Sequence, residues 1–309
     1  MLSEAPKHFP QIDRARADGQ AVKSQFPPAP SVSVVVPCAG ASPQLDAQLR
    51  AVLGQQCDFA FDVVVSVNTA DTERVAAIES TIESIVDSRL RAVESADKRG
   101  AAHARNVGAR AARGDLIAFC DDDLVHDGWL ARLIGVLAGF DAVSGTCIRS
   151  SPPRQAHWRP PATEGKLPTF VGIPYILSGN FALYRAAFDA VGGFDETLTR
   201  CEDIAIGWAL QSAGYSIGFE QGAGIDYYDR AGLTALVKQQ FLYGRGMAEV
   251  LARYPKPGGR GGEPTSTLGQ LRPNMQKAPL NIVGLLRKMS TAAGRLFGLA
   301  QTRLNRSTT

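Results

Sequence analysis

The stretch Leu116-Ile-Ala-Phe-Cys-Asp-Asp-Asp123 sets an unbroken apolar run directly against three carboxylates. A run of that kind fits a strand buried on both faces of a largely parallel sheet, ending on a polar turn. Two more short runs rich in β-branched residues precede it, Val32 to Val36 and Phe61 to Val67. Between them lie stretches of helical character at 44–54, 71–87 and 99–113, the last rich in Ala and Arg and stopping at Gly114. Strands alternating with helices define an α/β layered fold with right-handed crossovers. In such sheets ligands bind outside the carboxyl ends of the strands, here just after residues 36, 67 and 119.

Working outward, residues 1–30 are polar, end in Pro27-Pro28-Ala29-Pro30 and read as an N-terminal extension. From about 140 to 170 a strand leads into a Pro-rich loop, Ser151 to Pro168, and helical character resumes at 185–191, 202–213 and 231–253. The run Tyr254-Pro-Lys-Pro-Gly-Gly-Arg-Gly-Gly is a linker signal, so the expected division is a catalytic unit over 31–253, a linker over 254–265 and a basic helical tail over 266–309. Within the tail, 279–304 interleaves Leu, Ile and Val with Arg287, Lys288, Arg295 and Arg303 and holds no acidic residue. That pattern suits an amphipathic membrane-surface helix, and equally a helix covering the catalytic unit or an oligomer contact.

The 309 residues, 45% of them hydrophobic, can bury one large core. A net charge of +3, from 33 basic and 30 acidic residues, is too balanced to imply nucleic-acid binding. Five scattered cysteines without a CxxC pair argue against a disulfide framework or structural zinc and suit a reducing compartment. The N-terminus has no basic-then-apolar leader pattern, and no apolar run approaches the roughly 18 residues of a membrane span. The expected location is the cytoplasm, with the inner face of a membrane as a peripheral site.

Two groups of carboxylates carry chemistry. Asp121, Asp122 and Asp123 crowd one strand end, where like charges raise one another's pKa unless a cation neutralises them. Hard oxygen donors on a short turn suit Mg²⁺ or Mn²⁺ bound together with substrate phosphates. A solvated acidic turn capping the next helix from Asp127 explains the same residues without a metal. Glu202 and Asp203 open a helix, where the dipole favours the charged form; first-turn carboxylates are ordinary there, and one of them is equally suited to act as a general base.

Several segments, in order, resemble the family 2 glycosyltransferases of the GT-A fold. Val32-Ser-Val-Val-Val-Pro37 resembles the opening strand, and Arg99-Gly-Ala-Ala-His-Ala-Arg-Asn-Val-Gly108, followed by Ala-Arg-Gly-Asp115, is similar to the RGxxxARNxG segment. Phe119-Cys-Asp-Asp-Asp-Leu124 with Gly128-Trp-Leu130 resembles the metal-site turn and the helix after it. Ser178-Gly-Asn-Phe-Ala-Leu-Tyr-Arg185, Gly192-Gly-Phe-Asp-Glu196 and Glu202-Asp203 resemble the acceptor-side block, and Phe241-Leu-Tyr-Gly-Arg245 the tail signature. The resemblance implies a Rossmann-like GT-A domain, with a mostly parallel central sheet flanked by helices and a helical C-terminal extension. It also implies a non-processive, inverting transfer of a sugar to an acceptor hydroxyl. The donor would be a nucleotide sugar, UDP-sugar favoured with GDP- or dTDP-sugars as options; a lipid-linked glycan, a small metabolite and a protein side chain are all open as acceptors.

Carried over by residue, Asp121 and Asp123 would be the metal acids, with Asp121 and Asp122 on the donor side. Asp203 would be the general base and Glu202 its support. Pro37, Cys38 and Ala39 would line the nucleobase pocket with Ser66 and Asn68, while Arg99, Gly100 and Arg105 would flank the nucleotide. Gly179, Asn180 and Trp208 would lie on the acceptor side, although core packing is the default role for Trp208.

The chain departs from the family pattern in three places. Ser66-Val-Asn-Thr-Ala-Asp71 lacks the usual acidic base-reading residue, Ala205-Ile206 replaces a frequent Asp-Leu, and no His occurs in Ile225-Asp-Tyr-Tyr-Asp-Arg230, which leaves Asp226 or Tyr227 to replace it. The QxxRW signature of processive synthases is also missing. His103 reads as a helix-face residue, His126 as a solvent-facing loop residue, and Cys38 as packing. Two alternatives stand beside the transferase: a catalytically idle nucleotide-sugar-binding or scaffold protein, and a nucleotidyltransferase. The second wants a basic, Gly-rich loop after the first strand, which Pro37-Cys-Ala-Gly40 does not supply.

Overall fold

The runs Val32–Cys38 (β1), Phe61–Val67 (β2) and Leu116–Cys120 (β4) form three neighbouring parallel strands, with Val32 opposite both Phe61 and Leu116. Their β-branched and aromatic side chains are almost wholly buried because helices cover both faces of the sheet. This is a computed structural model, which describes residues 31–41, 43–149, 165–198, 200–227, 233–257 and 282–307. The expected extension 1–30, most of the Pro-rich loop and most of the linker lie outside the described residues.

A fourth strand, Leu90–Glu94 (β3), pairs in parallel with β2 at the sheet edge. Helices Pro43–Leu53 (α1), Thr72–Glu83 (α2) and Ala101–Ala111 (α3) connect these strands. The chain then continues through Leu124–Val125 (β5), helix Trp129–Leu137 (α4), Ala142–Arg149 (β6) and a small hairpin, Thr169–Phe170 (β7) with Ile173–Pro174 (β8). Asn180–Tyr184 (β9), Arg185–Ala190 (α5), Glu202–Ser212 (α6), Ile217–Tyr227 (β10), Leu233–Arg253 (α7) and Ile282–Ser307 (α8) complete it.

The eight-stranded sheet runs β3-β2-β1-β4-β9-β6-β10-β5. It is less parallel than its first strands imply. β9 runs against both β4 and β6, and β5 against β10, while β6 and β10 are parallel. The main core fills both faces of this sheet, and a second, smaller cluster forms where Phe170, Cys201, Ile204, Trp208, Val250 and Tyr254 meet. That second cluster binds α6 and α7 to the β7–β8 hairpin beside the sheet's carboxyl edge. All five cysteines are free thiols, as their spacing indicates.

Candidate active site

The acidic turn begins where β4 ends. A buried glutamine on α1, Gln48, holds both of its ends: Gln48 Nε2 donates to the Asp121 carbonyl (3.1 Å) and the Val125 amide donates to Gln48 Oε1 (2.9 Å). Just past the end of α1, Gln55 Nε2 donates to the His126 carbonyl (3.0 Å) and the Leu130 amide donates to Gln55 Oε1 (3.2 Å). Two buried side-chain amides, one on α1 and one just after it, thus fix the turn from outside the site.

Inside the site, Arg105 reaches from α3. Its NH2 group donates to Asp121 Oδ1 (2.6 Å) and NH1 to Glu202 Oε1 (3.1 Å), and its side chain is only 3% exposed. Burial alone would weaken so enclosed a cation, but the facing carboxylates hold it charged. Its Nε has no hydrogen-bond partner among the described residues. The arginine thus ties the acidic turn on β4 to the first turn of α6.

Asp203 follows Glu202 and is half-buried, accepting a hydrogen bond from the Ile204 amide (2.8 Å). Loss of surrounding water, and then the charge of Glu202, push its carboxyl up to about 7, against the opposing pull of Ile204 and Arg105. The residue that opens this helix, Cys201, sits in the left-handed region at φ 69°, a conformation that costs a non-glycine residue about 1 kcal/mol. Its side chain is buried and its thiol contacts the Tyr243 carbonyl at 3.5 Å.

Asp121, Asp123, Arg105, Gly179, Glu202 and Asp203 all line one cleft of about 710 Å³. Gly179 is required by close approach: a Cβ there would lie 2.6 Å from Asp121 Oδ2. The opposite wall comes from α7 and the segment before α6, with Arg200, Lys238 and Tyr243, while Tyr175 lies beside Asp203, where burial and that carboxylate raise its hydroxyl pKa. Tyr243 belongs to the Phe241–Arg245 segment quoted above, whereas Arg200, Lys238 and Tyr175 carry no local sequence signal. Lys238 and Tyr243 reach the cleft from α7, Arg200 from the segment before α6 and Tyr175 from the end of the β7–β8 hairpin.

The remaining expected site residues are placed elsewhere. Pro37, Cys38 and Ala39 lie at the carboxyl end of β1; Cys38 is buried and its thiol is pushed up to about 11 by burial, with Asp122 adding to the effect. Ser66 and Asn68 are buried fasteners at the end of β2. Ser66 Oγ donates to Ser95 Oγ (2.9 Å), while Asn68 donates to the Ser95 and Lys98 carbonyls and accepts from the Gly100 amide (2.8 Å). Arg99 is exposed, as is Asp122. Asn180, expected on the acceptor side, is fully buried and bonds Trp129 Nε1 (2.7 Å) and the carbonyls of Thr146 and Ala223 (both 3.0 Å). Trp208, carried over to the same side with core packing as its default role, is fully buried and stacks on Phe170 at 5.7 Å, so it serves the second core. Their places on inward-facing positions of β9 and α6 account for both.

The histidines, one on α3 and one in the loop after β5, both pair with carboxylates. His103 is buried, with Nδ1 2.9 Å from Glu196 Oε2 and Nε2 2.9 Å from Asp97 Oδ1; these bonds outweigh desolvation and raise its pKa. Glu196 also accepts from Asn106 (2.8 Å) and Lys98 (3.0 Å). Although burial opposes it, this set of donors lowers Glu196 to about 2. His126 is half-exposed and its Nε2 lies 3.1 Å from Asp226 Oδ1. Asp226 is therefore engaged by a histidine and does not line the cleft; the side chain of Tyr227 lies outside the described residues.

Among the described residues, no three His, Cys, Asp or Glu side chains converge on one metal position. The donor chemistry nevertheless fits a hard divalent ion: Asp121 and Asp123 share one turn and open on the cleft, as for ions that take one or two carboxylates and complete their shell with phosphate oxygens.

With this geometry in view, the wider relationships are clear. Residues 33–194, just over half of the chain, match the model of glycosyl transferase family 2, and the chain belongs to that family. The pre-mycofactocin glycosyltransferase of Mycobacterium tuberculosis is 27% identical over 180 residues, covering 51% of this chain and 36% of that protein. The succinoglycan biosynthesis protein ExoA of Rhizobium meliloti is 44% identical over 77 residues, covering 25% of this chain and 23% of that protein. The chain thus spans about a third or less of the length of these relatives. Its fold is that of GT-A glycosyltransferases. The mannosyltransferase PcManGT from Pyrobaculum calidifontis, solved with GDP-Man and Mn²⁺, superposes with a TM-score of 0.56 at 20% identity, over 89% of this chain and 74% of that one. GalNAc-T7, solved with UDP, GalNAc and Mn²⁺, gives 0.56 at 14% identity, over 91% and 58%.

Proposed function

We propose that this chain transfers a sugar from a nucleoside-diphosphate sugar to an acceptor hydroxyl with inversion at the anomeric carbon. The observation that carries the reading is the pairing, within one cleft, of an acidic turn with a carboxylate held at a raised pKa. In a single displacement the acceptor oxygen bonds to the anomeric carbon as the bond to the diphosphate breaks. Asp203 takes the hydroxyl proton on its carboxylate, and a pKa near neutrality suits a general base. Glu202 strengthens that base by its charge, and Arg105 holds both Glu202 and Asp121 in place. Mg²⁺ or Mn²⁺, held by Asp121 and Asp123 with the donor's diphosphate, would supply positive charge for the leaving group. The solved GT-A relatives bind GDP-Man or UDP with Mn²⁺, which supports a donor of this class. A poorly solvated base at a raised pKa is a standing cost to stability, which speaks against an idle scaffold.

The test is a thermal-shift panel of UDP-, GDP- and dTDP-sugars with and without Mn²⁺ or Mg²⁺, on the wild type and Asp123→Ala. One nucleotide should stabilise the wild type only with metal, and not the variant. The anomeric configuration of the product, read by NMR, should be opposite to the donor's. No stabilisation by any donor, or retained configuration, would overturn the reading.

A further inference from the structure

We propose that the outward face of α8 is a docking surface for an anionic lipid bilayer. The first observation is a charge asymmetry hidden by the modest net charge. From Pro264 to Thr309 the chain carries seven Lys or Arg and no Asp or Glu, which leaves 26 basic against 30 acidic residues in the rest. The tail is therefore strongly positive and the remainder negative. A basic segment gains about 1 kcal/mol per Lys or Arg at an anionic leaflet, whereas the acidic remainder is repelled by it.

The second observation fixes which way α8 faces. One side of α8 is locked on α7 by backbone contact: a Cβ on Gly294 would lie 2.0 Å from the Phe241 carbonyl oxygen, and one on Gly244 would lie 2.0 Å from that of Thr291. Thr291 Oγ1 bonds Gln240 Oε1 (3.2 Å) across the same seam. So close a crossing leaves no freedom to roll the helix about its axis.

The third observation is what the other side presents. Met289, Leu296 and Phe297 are 59%, 57% and 52% exposed, and Lys288 beside them is exposed as well. The spacing i, i+7, i+8 places the three apolar side chains in one stripe. Phe297 stands at its margin, 5.9 Å from the Phe241 ring. A Met, Leu and Phe stripe on a helix free of acids is the composition of a helix lying in the membrane interface. No described helix is long and apolar enough to cross a membrane, so the contact is in plane. Nucleic acid would use the cations but has no use for the stripe, since its backbone is met by charge and hydrogen bonds.

The arrangement joins this surface to the cleft. Phe241, Gly244 and Arg245 of α7 meet α8, while Lys238, Tyr243 and Met247 line the cleft. The bilayer would thus lie one helix layer, about 10 Å, from the cleft wall.

The experiment is flotation of the full chain with phosphatidylcholine vesicles and with vesicles in which phosphatidylglycerol replaces about a third of the lipid. The wild type should float only with the second, and less so at high salt. Leu296→Glu with Phe297→Glu should reduce flotation by about tenfold or more while leaving Tm and donor-dependent thermal shifts unchanged. Lys288→Gln should weaken it less. Absence of flotation by the folded wild type, or flotation indifferent to the double substitution, would overturn the proposal. So would a lipid-free dimer, seen by sedimentation, that the double substitution converts to monomer, because the occupant would then be a second copy. Donor binding is read on the same samples, so failure of docking is separable from failure of the transferase reading.

Discussion

Glu196 and Asp203 lie seven residues apart, and both are faced by side chains of α3, yet their surroundings push them in opposite directions. Glu196 meets Asn106, His103 and Lys98 and is lowered to about 2. Asp203 loses water and meets Glu202, with only backbone amides (those of Ile204 and of its own residue) and the nearby charge of Arg105 in its favour, and is raised to about 7. The difference is a count of donors against the cost of burial. Where donors are abundant a carboxylate ties segments together; where they are withheld it keeps its affinity for a proton. The same helix thus builds a fastener with His103 and Asn106 and frames a reactive group with Arg105.

Removing the base should have the largest effect. Asp203→Asn is expected to lower kcat on the order of a thousandfold, while Tm at pH 8 stays equal or rises, because a poorly solvated charge is gone. In the wild type a raised carboxyl contributes stability that is fully present below its ordinary value of 3.8 and is lost as pH climbs toward about 7. The substitution should flatten that segment of a Tm-against-pH profile. The wild-type kcat/KM should fall below about pH 7 as Asp203 takes up its proton. A less stable Asp203→Asn protein would erase the contrast with Glu196.

Arg105→Ala comes next. It leaves Asp121 and Glu202 facing each other without their cation, and breaking a buried pair costs about 3–5 kcal/mol by chemical denaturation. Because Arg105 pulls the Asp203 pKa down, the acid limb of kcat/KM should also move to higher pH in any protein that remains folded. An unmoved limb would show that the two carboxylate systems are not linked through α3.

Glu196→Gln should have the smallest effect, about 1–3 kcal/mol of stability with kcat nearly unchanged. A lowered carboxylate gives stability that is present above its ordinary 4.5 and is lost as pH falls toward about 2. The substitution should therefore remove the acid sensitivity of Tm in that window. A large drop in kcat at unchanged Tm would assign Glu196 to the chemistry instead.

The legibility of these features followed the distance over which each is built. β1, β2 and β4 were readable because strands covered on both faces need continuous apolar runs. β3 was not, because an edge strand with alternating half-exposed residues has no such run. Asp121, Asp123, Glu202 and Asp203 were legible as motifs and do meet in one cleft. Gln48 was not, since a glutamine in an amphipathic helix looks like any surface residue until its partner 77 positions away is known. Trp208 and Asn180 adjoin motif residues but face the opposite way, and adjacency in the chain does not encode that direction.

The sequence by itself determined the α/β layering, the strand ends where chemistry gathers, the carboxylates that gather there and the positive tail. Those depend on local periodicity and composition, which each segment carries alone. Only the tertiary structure decided which carboxylate is satisfied and which is strained, that β9 runs against its neighbours, and which face of α8 looks outward. Each of these depends on partners distant in the chain: Arg105 meets Glu202 across 97 positions and Asn106 meets Glu196 across 90. The sign of a pKa shift is set by what packing places within a few ångströms of a group, and no spacing along the chain contains it.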